Sequence, residues 1–167
     1  MSAAANSLPD RNDARIRLAL GADVEALAGL INMAFRVELP FIEGDRINAD
    51  GVREYMKKGR FLLAEDSVSL AGCVYVEVRG GRGYLGLLGV EPRRQGIGLG
   101  RKLMDAAEKY FRVANCVAID LRIVSARIPL PAFYHHLGYV ETGTAPLPPD
   151  APAKVPCHFI LMSKMLV

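Results

Sequence analysis

Residues 90–103 read VEPRRQGIGLGRKL, and the fold turns on how this stretch is understood. It joins an apolar run, residues 84–90, to an amphipathic run through a basic, glycine-rich turn. The pattern predicts strand, turn, helix. The first turn of a helix leaves backbone N–H groups without partners, and the helix dipole favours negative charge beside them. Most helices meet that need with an Asp, Ser or Glu near the start. Here the first acidic residue past the turn is Asp105, while Arg93, Arg94, Arg101 and Lys102 crowd the positive end. Such a tip is unfavourable unless an anion from outside completes it. A phosphate or pyrophosphate is the natural occupant.

The remaining composition narrows the setting. The chain has 167 residues, 51% of them apolar, which suits one domain with a sizeable core and argues against disorder. A net charge of +3 is too small to support general nucleic-acid binding. The basic residues gather locally at the turn and fit a small anionic ligand better than a long phosphate backbone. Three cysteines, Cys73, Cys116 and Cys157, fall in segments that read as strands. Their odd number and lack of C-x-x-C spacing support neither a disulfide framework nor a zinc site, and buried thiols are the simpler reading. No apolar run approaches the roughly 20 residues of a membrane span. Residues 1–13 are polar and without a secretory apolar segment. The expectation is a cytoplasmic protein with no membrane partner, in which residues 1–13 form a flexible leader and residues 14–167 a single domain.

Periodicity predicts the elements on either side of the glycine turn. Residues 15–20 alternate as a strand. A helix begins near Gly21 and runs to about Arg36, with Val24, Leu27, Ala28 and Ile31 on one face. Residues 37–48 read as a loop with helical turns, and residues 50–58 as a second helix ended by Gly59 in the manner of a glycine cap. Residues 61–65, 70–78 and 83–90 are strands, the last two joined through Arg79-Gly80-Gly81-Arg82, a strong hairpin signal. The helix after the glycine turn carries Leu99, Leu103, Ala106 and Tyr110 along one face. Residues 116–124 form a central strand, residues 130–137 a short helix stopped by Gly138, and residues 139–144 and 157–166 the last strands. The proline-rich run 146–152 between them cannot pair as sheet. The order β-α-α-β-β-β-α-β-α-β-β implies an α/β fold, with one mixed sheet and helices on both faces.

Three phosphate-binding patterns follow a strand in this way. A Walker loop needs G-x-x-x-x-G-K-[ST], which does not occur. A dinucleotide fingerprint needs G-x-G-x-x-G, but Arg101 stands where the third glycine belongs, and a hairpin precedes the turn. The pattern [RQ]-x-x-G-x-[GA] is matched in full by residues 93–98, RRQGIG. A second segment, residues 133–139, reads FYHHLGY. Together these resemble the two signatures of the GNAT superfamily of acetyl-CoA-dependent N-acetyltransferases, and the resemblance covers nearly the whole chain. It implies an α+β fold with a mixed, mostly antiparallel sheet of about seven strands flanked by about four helices.

The resemblance implies acetyl-CoA as cosubstrate, held at Leu88, Gly89, Val90, Arg93, Arg94, Gln95, Gly96, Ile97, Gly98, Leu99, Gly100, Arg101 and Phe133. Physical chemistry agrees at the turn, where glycines let the backbone approach closely and successive N–H groups form an anion nest. Side chains of Arg93, Arg94 or Arg101 would add charge. The main chain of Leu88, Gly89 and Val90 would pair with the pantetheine amides. Gly86 and Gly89 in this bulky strand mark a bulge, a close backbone approach or loose packing against a helix.

The implied reaction is direct attack of a primary amine, on a small molecule or a peptide, at the thioester carbonyl. An alkylamine with a pKa near ~10.4 must lose a proton, and the leaving thiolate, with a pKa of roughly 8.5, must gain one. Tyr134 occupies the family's general-acid position. The alternative is that its ring packs against the cofactor. Many relatives carry a Glu on the strand before the turn, but residues 84–90 hold no carboxylate. Glu38, Glu43, Asp45, Glu77 or a chain of waters is left for the base. His135 and His136 occupy variable positions, and no metal is expected. Glu38, Glu43, Asp45 and Asp50 lie where acceptor specificity should arise. The resemblance also points to a homodimer through the terminal strands. A CoA-binding sensor without turnover is the competing function.

Overall fold

The computed structural model describes residues 13–166, and the leader expected over residues 1–13 lies almost wholly outside them. The elements are β1 (Arg15–Leu18), α1 (Val24–Ala34), α2 (Ala49–Lys58), β2 (Arg60–Glu65), β3 (Leu70–Arg79), β4 (Arg82–Val90), α3 (Leu99–Val113), β5 (Ala118–Val124), α4 (Leu130–His136), β6 (Val140–Pro146) and β7 (His158–Met165). This is the expected order. Seven strands form one sheet in the spatial order β1-β2-β3-β4-β5-β7-β6. Every neighbouring pair is antiparallel except β4 and β5, which run parallel.

Alternation along the strands builds two cores. Leu62, Ala64, Val74, Val76 and Leu85 face α3 and α4. Phe61, Leu63, Cys73 and Tyr75 face α1 and α2. The hairpin between β3 and β4 closes on Gly80 and Gly81 at φ +54° and +81°, the two left-handed residues that a two-residue turn requires. The buried face of α3 is Leu99, Leu103, Met104, Ala107 and Phe111. Expected core positions Ala106 and Tyr110 are only half-buried, because the stripe drifts toward the i+4 and i+8 positions that meet β3. Pro146, expected outside the sheet, is the last residue of β6 and pairs with His158. A proline is tolerated there because β6 is an edge strand. Cys73 and Cys116 are buried thiols and Cys157 is half-buried. Cys116 and Cys157 precede β5 and β7 rather than lying within them.

Gly59 ends α2, but not by a left-handed cap, for its φ is −151°. A Cβ there would sit 2.4 Å from the Val76 carbonyl oxygen and 2.7 Å from the Tyr75 hydroxyl. The helix stops where the chain must press flat against β3. Gly59→Ala is expected to cost about 1–3 kcal/mol, the usual penalty of overpacking, read as a lower midpoint in urea unfolding.

β1 is tied to the start of α1 by Arg17, which donates to both Asp23 oxygens at 2.8 Å and to Glu65 at 2.7 Å. The guanidinium holds Asp23 down to about 2. A depressed carboxylate contributes stability above its ordinary range, and that contribution is lost as pH falls through its folded value. Stability should therefore decline between about pH 4 and pH 2. In Arg17→Met this part of the pH dependence should shrink, as followed by urea midpoints across that window.

Candidate functional site

β4 and β5 are joined only at their lower ends, through Gly83 with Ile119 and Tyr84 with Asp120. Beyond this point β4 continues along β3 as far as Val90, while β5 continues along β7 as far as Val124. The backbone of residues 85–90 consequently has no β5 partner, and a groove of about 750 Å³ opens where the two strands part.

The cause is visible in β4. Leu87 adopts φ +49°, a left-handed conformation that strains a non-glycine residue by roughly 1–3 kcal/mol. Cys73 pairs with Gly89 and Tyr75 with Gly86, so β4 carries one residue too many between them. This bulge resets the side-chain alternation. Leu85 faces α3, Leu87 faces α1, and Leu88 and Val90 return to the α3 side. The consecutive pair Leu87-Leu88 was the sequence signal of that slip. Gly89 answers to a different need, since a Cβ there would lie 3.1 Å from Ala34 Cβ in α1.

At the upper end of β4 the chain makes a 3-10 turn at Pro92–Arg94 and enters α3. Gly96 and Gly98 hold φ +80° and +88°, with open space where each Cβ would be. Gly98 is the N-cap, no side chain caps the helix, and its first turn holds no acidic residue. Among the described residues, no protein acceptor meets the backbone N–H groups of residues 95–101. The tip is open, unplugged and turned to the groove, which Gln95, Gly96, Gly98, Leu99, Gly100 and Arg101 line. These amides fit a pyrophosphate.

The basic side chains divide. Arg94 lines the groove but is engaged by Asp66 at 2.6 Å and by Glu91 at 3.5 Å. Lys102 donates to the Ala14 carbonyl. Arg93 and Ile97, assigned to the cofactor by resemblance, are not among the groove-lining residues, and neither is Gly89. Arg101 lines the groove with no carboxylate partner among the described residues. Leu88, Val90 and Phe133 line it. The Val90 carbonyl, however, already accepts from Gln95 Nε2 at 3.2 Å.

Tyr134, on α4, is 5% exposed and lines the groove. Its ring packs edge-on against Phe133 and Tyr139, with centroids 5.0 Å and 5.8 Å away. Among the described residues its hydroxyl has no hydrogen-bond partner, yet it is not sealed off. Burial pushes the phenol up to about 12, with Arg127 pulling the other way. It therefore stays protonated across the neutral range.

Of the carboxylates considered for the base, Glu38, Glu43 and Asp45 line the groove. Glu77 does not. It is bound to Arg79 and to the Tyr75 hydroxyl, and Arg79 holds it below the usual carboxylate range. Asp50 pairs with Arg53 on α2. His135 and His136 are exposed, and no cluster of three or more metal-ligating side chains occurs among the described residues. Among the same residues, no helix is long and apolar enough to cross a membrane. Several groove residues carried no sequence signal: Asn32, Phe35, Tyr55 and Tyr84 are aligned only by the packing of α1 and α2 on the sheet.

A parted parallel pair, a bulged strand and an uncapped helix tip meet in one groove. Residues 41–147 match the acetyltransferase (GNAT) domain, and the chain belongs to that family. An uncharacterized N-acetyltransferase of Methanocaldococcus jannaschii is 29% identical over 87 residues, 52% of this chain and 56% of that protein. An IAA acetyltransferase of Azospirillum brasilense is 30% identical over 94 residues, 54% of this chain and 61% of that protein. The matches thus span little more than half of these relatives' lengths. A structure from Salmonella typhimurium, described with its cofactor acetyl-CoA, shares the fold with a TM-score of 0.71 at 22% identity, covering 93% of this chain and 95% of that one.

Proposed function

We propose that this chain transfers an acetyl group from acetyl-CoA to the primary amine of a small molecule or peptide by direct attack. The observation that carries the reading is the open amide tip of α3 beside an unpaired stretch of β4, with the Tyr134 hydroxyl in the same groove. The amides of residues 95–101 take the pyrophosphate, assisted by Arg101. The free edge of β4 hydrogen-bonds the pantetheine arm as an added strand would. A backbone N–H in the bulged stretch 87–90 stabilises the negative charge that develops on the thioester oxygen. The Tyr134 phenol, neutral at working pH, gives its proton to the departing sulfur, which leaves as the thiol. Family membership supports the acetyl-CoA part of this reading. The acceptor class, the direct attack, the homodimer and the cytoplasmic setting are carried by chemistry and resemblance.

Calorimetric titration with acetyl-CoA, CoA, NAD and ATP tests the cradle. Tight binding of the first two alone is expected, and equal binding of NAD or ATP overturns it. Thiol release across a panel of primary amines tests turnover. Binding of acetyl-CoA with no thiol release for any amine would instead mark a CoA sensor.

A further inference from the structure

Glu38 is the one buried charged side chain among the described residues, 6% exposed. It sits at the end of the 3-10 turn Phe35–Glu38 that continues α1, and it lines the groove. Its Oε1 accepts a long bond of 3.4 Å from Arg127 Nη1. No donor among the described residues reaches Oε2, and that oxygen is not sealed from the groove. A buried carboxylate with one oxygen unmet is costly unless a cationic donor arrives from outside. Arg127 also bears on Tyr134, whose phenolate its charge favours, so one guanidinium lies within reach of both groups.

The segment after Glu38 is strapped across the groove. Glu43 N–H donates to the Pro152 carbonyl at 2.9 Å, Lys154 N–H donates to the Phe41 carbonyl at 2.7 Å, and Ile42 pairs with Ala153. The groove side of this strap presents Ile42, Leu147, Pro148 and Pro152, flanked by Glu43, Asp45 and Arg46. Arg36, Arg46 and Arg122 line the same space without carboxylate partners among the described residues and outnumber Glu43 and Asp45 there, which disfavours an acceptor with several positive charges.

We propose that Glu38 receives and deprotonates the ammonium of a small monoamine with an apolar body, admitted beneath this strap. This rests on the acetylation reading. The ammonium gives one proton to Glu38 Oε2, and the freed lone pair forms the N–C bond at the thioester carbon. The C–S bond breaks, and the sulfur takes a proton from Tyr134. The phenol is restored by the second proton that the acylated nitrogen releases, and Glu38 gives its proton to solvent. Arg127 is a positioning residue that engages Glu38 Oε1 and leaves Oε2 free for the ammonium.

The test measures kcat/KM at saturating acetyl-CoA for phenethylamine, spermidine and a hexapeptide with a free alanine N-terminus, in the native protein, Glu38→Gln and Glu38→Asp. Phenethylamine is expected to be the fastest acceptor. Glu38→Gln should lose roughly 10²–10³-fold at pH 7, the range of general-base catalysis. That loss should shrink about tenfold per pH unit toward pH 10 as the free amine accumulates. Glu38→Asp should recover part of it, and acetyl-CoA affinity should be unchanged in both variants. A native rate in Glu38→Gln, a loss that is uniform in pH, or weakened acetyl-CoA binding would overturn the role of Glu38. Faster turnover of spermidine or the peptide would overturn the strap's selection. If the native protein binds acetyl-CoA and acetylates none of the three, the acetylation reading falls and this inference falls with it.

Discussion

Gly98→Asp is expected to weaken CoA binding by at least roughly 100-fold while leaving the fold intact. Gly98 is the N-cap of α3 at φ +88°, and an added Cβ would meet nothing within 4 Å. Aspartate tolerates the left-handed region better than most residues. Its carboxylate would stand before the free amides and beside the positive end of the helix dipole, which offsets part of the backbone strain. The same charge would repel a pyrophosphate from the α3 tip. Gly98→Asn has a similar shape without the charge and should lose far less. Calorimetric titration with CoA, paired with thermal unfolding, reads both effects. Native-like affinity in Gly98→Asp would mean that the α3 tip is not the phosphate site.

Tyr134→Phe should lower kcat by about 10²–10³-fold, the scale of a lost proton donor, with little change in KM for acetyl-CoA. The ring contacts with Phe133 and Tyr139 survive the change. The native hydroxyl has no partner among the described residues, so the variant should be as stable as the native protein or slightly more so. A structural role would predict the reverse, with stability lost and turnover kept. The pH profile adds a second check. Burial holds the phenol at about 12, so its donor form persists as pH rises. Native kcat should show no descending limb from this group below about pH 11. Steady-state rates from pH 6 to pH 10 decide the matter, and full activity in Tyr134→Phe would remove the residue from the proton transfer.

How far the sequence reached differs from element to element. The order of elements along the chain, the Gly80-Gly81 hairpin and the start of α3 were legible because each depends on near neighbours: alternation, left-handed turn residues and an uncapped helix. The α3 face was misjudged by one position, since which half of an amphipathic stripe is sealed depends on the sheet it meets. Gly59 read as an ordinary helix cap, and only the backbone of Val76 pressed against it explains the glycine. Arg94 read as a phosphate ligand, and Asp66, 28 positions away in the chain, claims it instead.

The amino-acid order by itself determined that a positive, carboxylate-free helix tip follows an apolar strand, because caps and dipoles act within a single turn of chain. The tertiary structure alone decided that this tip opens on a groove. β4 parts from β5 beside a one-residue slip against β3, which places Leu87 and Leu88 in the cores on opposite faces of the sheet. The pairing of Glu38 with Arg127, and of Ile42 with Ala153, belongs to the same level. Contacts across so much chain leave no periodic trace, for they depend on where distant elements come to rest.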